Sequence, residues 1–238
     1  GGNPTFDQVM VGLDLLKKHG VEFNILTTVH AANQDHPLEV YRFLRDDVEG
    51  QFLQFIPIVE RDNQTGFQEG TQVTPRSVSA NGFGRFMTEV FEEWVCHDVG
   101  RVFVQLFDVA LAAWVGAPPS LCVFAETCGH ALALEHNGDL YSCDHFVEPK
   151  HLLGNIGEHP LTTLVNSPQQ RAFGVAKRDT LPNQCLECEV RFVCNGGCPK
   201  NRFVTTSDDQ PGLNYLCDSY RPLFNHIRPA MDAMATEL

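Results

Sequence analysis

The sequence predicts an α/β fold with parallel strands in its first half, followed by a loop-rich, cysteine-rich region with one β-hairpin. Two observations carry this. Up to Val115, apolar residues at helical spacing alternate with short β-rich runs, the pattern of helix–strand units around a parallel sheet. Beyond Pro118-Pro119 that patterning stops, and eight of the nine cysteines crowd between Cys122 and Cys217. The boundary is placed there, giving regions 1–119 and 120–238.

Thr5 to Gly20 reads as a helix: Thr5 and Gln8 form a capping box, Phe6, Val9, Met10, Leu13 and Leu16 make one stripe, and Gly20 stops it. Val21 to Val29 is expected as a buried strand. His36 to Arg45 follows as a helix with Leu38, Tyr41 and Leu44 on one face. Phe52 to Val59 is a second strand, demoted near its end by Pro57. The polar stretch from Arg61 to Gly82 reads as a loop. Phe83 to Val99 is a helix with Phe83, Phe86, Met87, Val90, Phe91, Trp94 and Val95 at three-and-four spacing. Arg101 to Phe107 reads as a third strand and Asp108 to Val115 as a short helix.

Three strands are too few for a closed barrel, and the chain opens on a helix. The expectation is therefore a portion of a larger α/β domain, with a self-sufficient three-stranded sheet as the alternative. In the second region, Leu132 to His136 and Asp139 to Cys143 read as a hairpin closed by a two-residue type I′ turn at Asn137-Gly138. That register sets Leu132 opposite Cys143 and brings Cys128 near the same open end. Tyr215 to Met234 reads as an amphipathic tail broken by Pro222 and Pro229 and packed on the cysteine-rich region.

Of 238 residues, 43% are hydrophobic, enough for a buried core. Lys and Arg number 17 against 30 Asp and Glu, and the net charge of −13 argues against nucleic acid or an anionic membrane as partner. The near-apolar stretch from Val109 to Pro119 is too short to span a bilayer. Gly1-Gly2-Asn3-Pro4 has no basic or apolar leader character, so the expected location is cytoplasmic.

Reduced thiols in that compartment point to metal rather than disulfides. The run Cys185-x2-Cys188-x5-Cys194-x3-Cys198, with Cys217 beyond and Cys122, Cys128 and Cys143 before it, supplies eight thiols, two sets of four. Zinc and iron–sulfur both remain open on this spacing. Cys194-x3-Cys198-Pro199 copies the ending of ferredoxin runs, whose last cysteine serves the other cluster, although the preceding gap differs. Asn195-Gly196-Gly197 leaves room for backbone N–H groups beside the sulfurs. Cys96 stands apart and reads as a structural thiol. Gln54 could face a ligand or be a satisfied buried amide. His130, His136, His145 and His151 have no required ligand role, and Lys200 and Arg202 could tune a cluster or simply be solvated.

Cys128-x9-Gly138-x4-Cys143, then Cys185-x2-Cys188-x5-Cys194-x3-Cys198 and Cys217, resembles the seven-cysteine SPASM signature of radical S-adenosylmethionine (SAM) enzymes. Cys122 adds an eighth thiol, as in the anaerobic sulfatase-maturating enzymes, which VEFNILTTV, FLQFIPIVE, YSCDHFVEPKHLLGNI and CNGGCPKNR also resemble. The resemblance implies a partial (β/α) barrel of the radical-SAM type, then a SPASM domain with two auxiliary [4Fe–4S] clusters. One would be held by Cys122, Cys128, Cys143 and Cys198, the other by Cys185, Cys188, Cys194 and Cys217. It further implies oxidation of a cysteine or serine of a sulfatase polypeptide to formylglycine, with Asp144 as the base and Val59 packing on SAM. A small electron-transfer protein such as flavodoxin or ferredoxin would be the other partner of a monomeric enzyme. The family's Cys-x3-Cys-x2-Cys motif does not occur here, so SAM and a third [4Fe–4S] cluster are expected only in a longer protein, this chain being inactive alone. Another SPASM peptide modifier and a non-enzymatic zinc module are the alternatives.

Overall fold

A computed structural model describes residues 4–237; Gly1 to Asn3, three of the four residues read above for leader character, and Leu238 lie outside the described residues. Helix α1 (Phe6–Lys18) leads into strand β1 (Asn24–Val29), helix α2 (Pro37–Arg42), strand β2 (Phe52–Pro57), helix α3 (Gly82–His97), the two-residue strand β3 (Phe103–Val104) and helix α4 (Gln105–Trp114). The strands pair in parallel in the order β1-β2-β3, Asn24 opposite Phe52 and Phe52 opposite Phe103. Each parallel step needs a crossover, which the helical segments between the strands supply. Phe55 meets Phe86 of α3 at 5.4 Å between ring centroids, and Phe107 of α4 meets Phe91 edge-on at 5.0 Å.

Several sequence expectations are corrected here. Thr5 stands at the N-cap of α1, but its side chain makes no capping hydrogen bond, and no residue of the helix is fully buried. Its apolar stripe is thin: Met10 and Leu13 lean on the core while Phe6 is 58% exposed. Strand β1 is covered on one face only, with burial alternating along it and Leu26 62% exposed. The helix expected to Arg45 widens instead, its end Phe43–Asp47 forming a π turn. The third strand stops at Val104 because Leu106, Phe107, Val109 and Ala110 are buried at helical, not alternating, spacing. Cys96 is exposed on α3 and has no core-packing role.

The second region adds a three-stranded antiparallel sheet, β4 (Ala133–Leu134), β5 (Asp139–Tyr141) and β6 (Leu152–Asn155), of which only the first pair was anticipated. The hairpin is shifted by one residue from the expected register, with Leu134 opposite Leu140. A type I′ turn needs positive φ at both central residues, and only Gly138 has it (φ 91°). The chain instead makes a three-residue loop, Gly138 N–H donating to Glu135 O and Glu135 N–H to Asp139 O. Helices α5 (Leu161–Val165) and α6 (Pro168–Asp179) follow, then the single turns α7 (Asn183–Leu186) and α8 (Arg191–Cys194), and a short ladder of β7 (Val204–Thr205) and β8 (Pro211–Leu213).

The last element is α9 (Cys217–Glu237), one continuous helix that runs through Pro222 and Pro229. Burial of Tyr220, Leu223, Phe224, Ile227 and Met231 on one face outweighs the backbone bonds the prolines remove. It packs chiefly on α3 and α4, not on the cysteine-rich segment alone. Ser219 seals the crossing: its hydroxyl accepts from Gly84 N–H at 2.8 Å and donates to Ala80 O at 2.6 Å.

Candidate metal centres

Cys185 sits on α7, Cys188 in the turn after it, Cys194 at the end of α8 and Cys217 at the start of α9. Local chemistry explains each position. Pro182 directs the chain into α7, Cys188 N–H closes on Cys185 O, and Asn195 in the left-handed region (φ 46°) ends α8 directly after Cys194. These four thiols line one cavity, closed by Val190, Leu213, Asn214 and Tyr220.

Cys122, Cys128, Cys143 and Cys198 form a second group. Cys198 and Cys122 both act electrostatically on Cys128, Cys198 acts on Cys143, and Cys122 acts on Cys198. Cys128 is held by its N–H bond to Gly174 O of α6 (3.2 Å), and Cys143 follows directly on β5. All nine cysteines are free thiols. Among the described residues no three His, Cys, Asp or Glu side chains stand as they would around a single metal ion.

The donor set suits an all-thiolate group. A repeated device aims backbone N–H groups at sulfur two residues earlier: His145 toward Cys143, Val190 toward Cys188, Gly196 toward Cys194 and Lys200 toward Cys198. These thiols are poor acids. Burial pushes Cys194 and Cys143 up to about 12 and Cys217 to about 11, with neighbouring negative charge adding to each. A metal-bearing centre supplies the positive charge that makes them ligands.

Asp144 is exposed beside this second group, and its Oδ1 accepts a hydrogen bond from Cys143 Sγ at 3.2 Å. Val59, 6% exposed, lies just past the carboxyl end of β2, and its carbonyl accepts from Lys200 Nζ at 3.1 Å. Lys200 thereby ties the sheet to the turn after Cys198. Arg61 makes a parallel tie, donating to Gln68 O and Lys200 O and lying over the Phe203 ring. Gln54 is half-buried in β2, His136 is exposed, and His151 packs against Phe146 and Phe173. Lys177 escaped the sequence reading, although Ser167-Pro168 carried a legible start signal for its helix: Ser167 caps α6 by accepting from Gln170 N–H at 3.2 Å.

The family model for the SPASM iron–sulfur cluster-binding domain matches residues 122–189. Over its whole length the chain is 47% identical to the serine-type anaerobic sulfatase-maturating enzyme of Bacteroides thetaiotaomicron and spans 59% of it. It is 33% identical to the serine-type enzyme of Klebsiella pneumoniae, spanning 56%, and 28% identical to the cysteine-type enzyme of Clostridium perfringens, spanning 62%. The chain thus covers less than two thirds of each of these relatives. Its fold superposes on native anSMEcpe with bound AdoMet at a TM-score of 0.87 and 28% identity, over 100% of this chain and 63% of that one. With AdoMet and the Cp18Cys peptide bound the TM-score is 0.86, over 99% and 64%. Carrying the SPASM iron–sulfur cluster-binding module, this chain is similar from end to end, in sequence and in fold, to a part of the anaerobic sulfatase-maturating enzymes.

Proposed function

We propose that this chain is the auxiliary-cluster and substrate-binding half of a radical SAM enzyme that oxidises a serine of a sulfatase polypeptide to formylglycine. The observation that carries the reading is the gathering of eight thiols into two groups, one lining a single cavity, with a carboxylate beside the other. Cys122, Cys128, Cys143 and Cys198 would hold one [4Fe–4S] cluster, and Cys185, Cys188, Cys194 and Cys217 a second. Such clusters supply one-electron acceptors close to the oxidised residue. The serine assignment rests on the greater identity to the serine-type relatives.

Oxidation of the alcohol to an aldehyde removes a hydrogen atom from Cβ, a proton from the hydroxyl and one electron. Asp144 would take the proton. Its carboxylate now accepts from the Cys143 thiol. A ligated sulfur has no proton to donate, so metal loading frees Asp144 to accept from the substrate hydroxyl. Val59 lies where (β/α) barrels present their binding residues, past the carboxyl end of a strand, and is assigned to packing on SAM. Hydrogen abstraction needs a SAM-binding cluster whose Cys-x3-Cys-x2-Cys ligands are not in this sequence, and we assign it to the longer protein. A flavodoxin- or ferredoxin-like carrier would exchange electrons with a monomeric enzyme in the cytoplasm, where thiols stay reduced.

Metal content is the test. Anaerobic reconstitution should yield brown protein with about eight irons and matching sulfide per chain. A colourless protein with two zincs at full occupancy would instead make it a zinc module. In the longer enzyme, Asp144→Asn should abolish aldehyde formation on a serine-containing sulfatase peptide while SAM cleavage continues. Undiminished aldehyde would remove Asp144 as the base, and a crosslinked peptide product would make the enzyme a different SPASM modifier.

A further inference from the structure

In the cysteine-rich region Lys177 and Arg202 are set among backbone carbonyls, and among the described residues neither has a carboxylate partner. Lys177 is 1% exposed. Its ammonium donates to the backbone carbonyls of Cys122 (2.6 Å), Val123 (3.0 Å) and Ala125, the turn that presents Cys122. Arg202 donates to the carbonyls of Gly196 (2.9 Å), Asn195 (2.8 Å), Gly197 (3.3 Å) and Lys177 (2.5 Å). Three successive residues with positive φ, Asn195, Gly196 and Gly197, turn their carbonyls onto this one guanidinium. A Cβ on Gly196 would stand 2.7 Å from its Nη2.

That cradle is the segment joining Cys194 of one thiol group to Cys198 of the other. Arg202 acts electrostatically on Cys185 and Cys194 and also on Cys198 and Cys128. The thiols that act most on Lys177 are Cys128, Cys198 and Cys122. Carbonyl dipoles solvate a buried cation but do not neutralise it, and a buried charge left unbalanced is costly. The anionic partners within reach are the thiolates.

We propose that Lys177 and Arg202 are positioning residues that form a cationic bridge, balancing the negative charge of both ligated thiolate groups and setting the potentials of the clusters they hold. The inference rests on the proposed iron–sulfur function and deepens it. Arg202 serves both groups. Lys177 serves the group of Cys122, Cys128, Cys143 and Cys198. A positive charge beside a cluster favours its reduced, more negative form, so removing the charge lowers the midpoint potential.

The test is iron content, together with a spectroscopic redox titration of the anaerobically reconstituted protein, for Lys177→Met, Lys177→Arg, Arg202→Met and Arg202→Lys. Lys177→Met should lower one cluster's midpoint potential or cost about half the iron, while Lys177→Arg stays near the parent. Arg202→Met should shift both clusters downward, and Arg202→Lys should shift them less. Where a methionine exchange prevents folding, Lys177→Gln or Arg202→Gln keeps an amide donor for the carbonyls without the charge and is read in the same way. Methionine and charge-retaining variants that behave alike would overturn the bridge. A parent protein that takes up no iron would instead overturn the function on which it rests.

Discussion

In the α/β layer the largest fully buried side chains include Phe83, Phe86, Met87 and Phe107, whereas in the cysteine-rich region they include Lys177. Around that lysine the interior is polar and answered by backbone. Gln170 donates to Gly129 O and Ser142 O, and Asn214 to Gly196 O and Cys198 O. Glu148 accepts from Gln68 N–H. The first half is held by apolar area removed from water; the second adds, to the apolar face of α9, hydrogen bonds that organise a set of thiols. The difference teaches what each half is for. A packed aromatic core gives a rigid platform without any ligand, while a thiol-lined interior gains its full cohesion from what the thiols bind.

Stripping iron from the reconstituted protein is the strongest way to break the comparison. Amide hydrogen exchange should accelerate widely from Cys122 to Leu216 and hardly at all from β1 to α4. Equal loss in both halves would show that the layer depends on the clusters too. Next in size, Phe86→Ala should destabilise the protein by about 3–5 kcal/mol in denaturant unfolding, through the cavity it leaves, without altering the iron count.

Gly84→Ala probes the seam between the halves. Its Cβ would stand 2.6 Å from the backbone of Ser219, prying α9 from α3 at a cost of about 1–3 kcal/mol. A smaller effect is expected at the edge of the layer. Hydrogen bonds from Arg42, then Arg45, hold Glu93 down to about 2 from an ordinary value of 4.5. Its contribution is complete above pH 4.5 and is lost as the pH falls toward 2. Glu93→Gln should therefore be less stable than the parent at neutral pH, with the gap closing across that window in pH-dependent unfolding.

The reach of sequence reasoning differed between the halves in the same way. The apolar stripe of α3 was legible because periodicity shows which face is buried, and strands β1 and β2 were legible as β-rich runs between helices. The thiols were legible by count and spacing. The β-branched run from Val21 to Val29 reads as a buried strand, yet only alternate residues of β1 face the core. The run from Arg101 to Phe107 has β-forming residues, and packing of Leu106 and Phe107 made its end helical.

What the sequence determined by itself rests on neighbours within a turn or two: helical stripes, the presence of a tight reversal at Gly138 and the Cys-x2-Cys reversal. What only the tertiary structure decided joins residues far apart along the chain. Helix α9 passes through two prolines because α3 and α4 bury one face of it. The hairpin register is set by φ at a single residue and by a third strand beyond it. Lys177 meets the Cys122 carbonyl, and Arg202 the carbonyl of Lys177, only once α6 is docked. A buried cation has no sequence signature, because its burial is a property of the segments that close over it and not of its own neighbours.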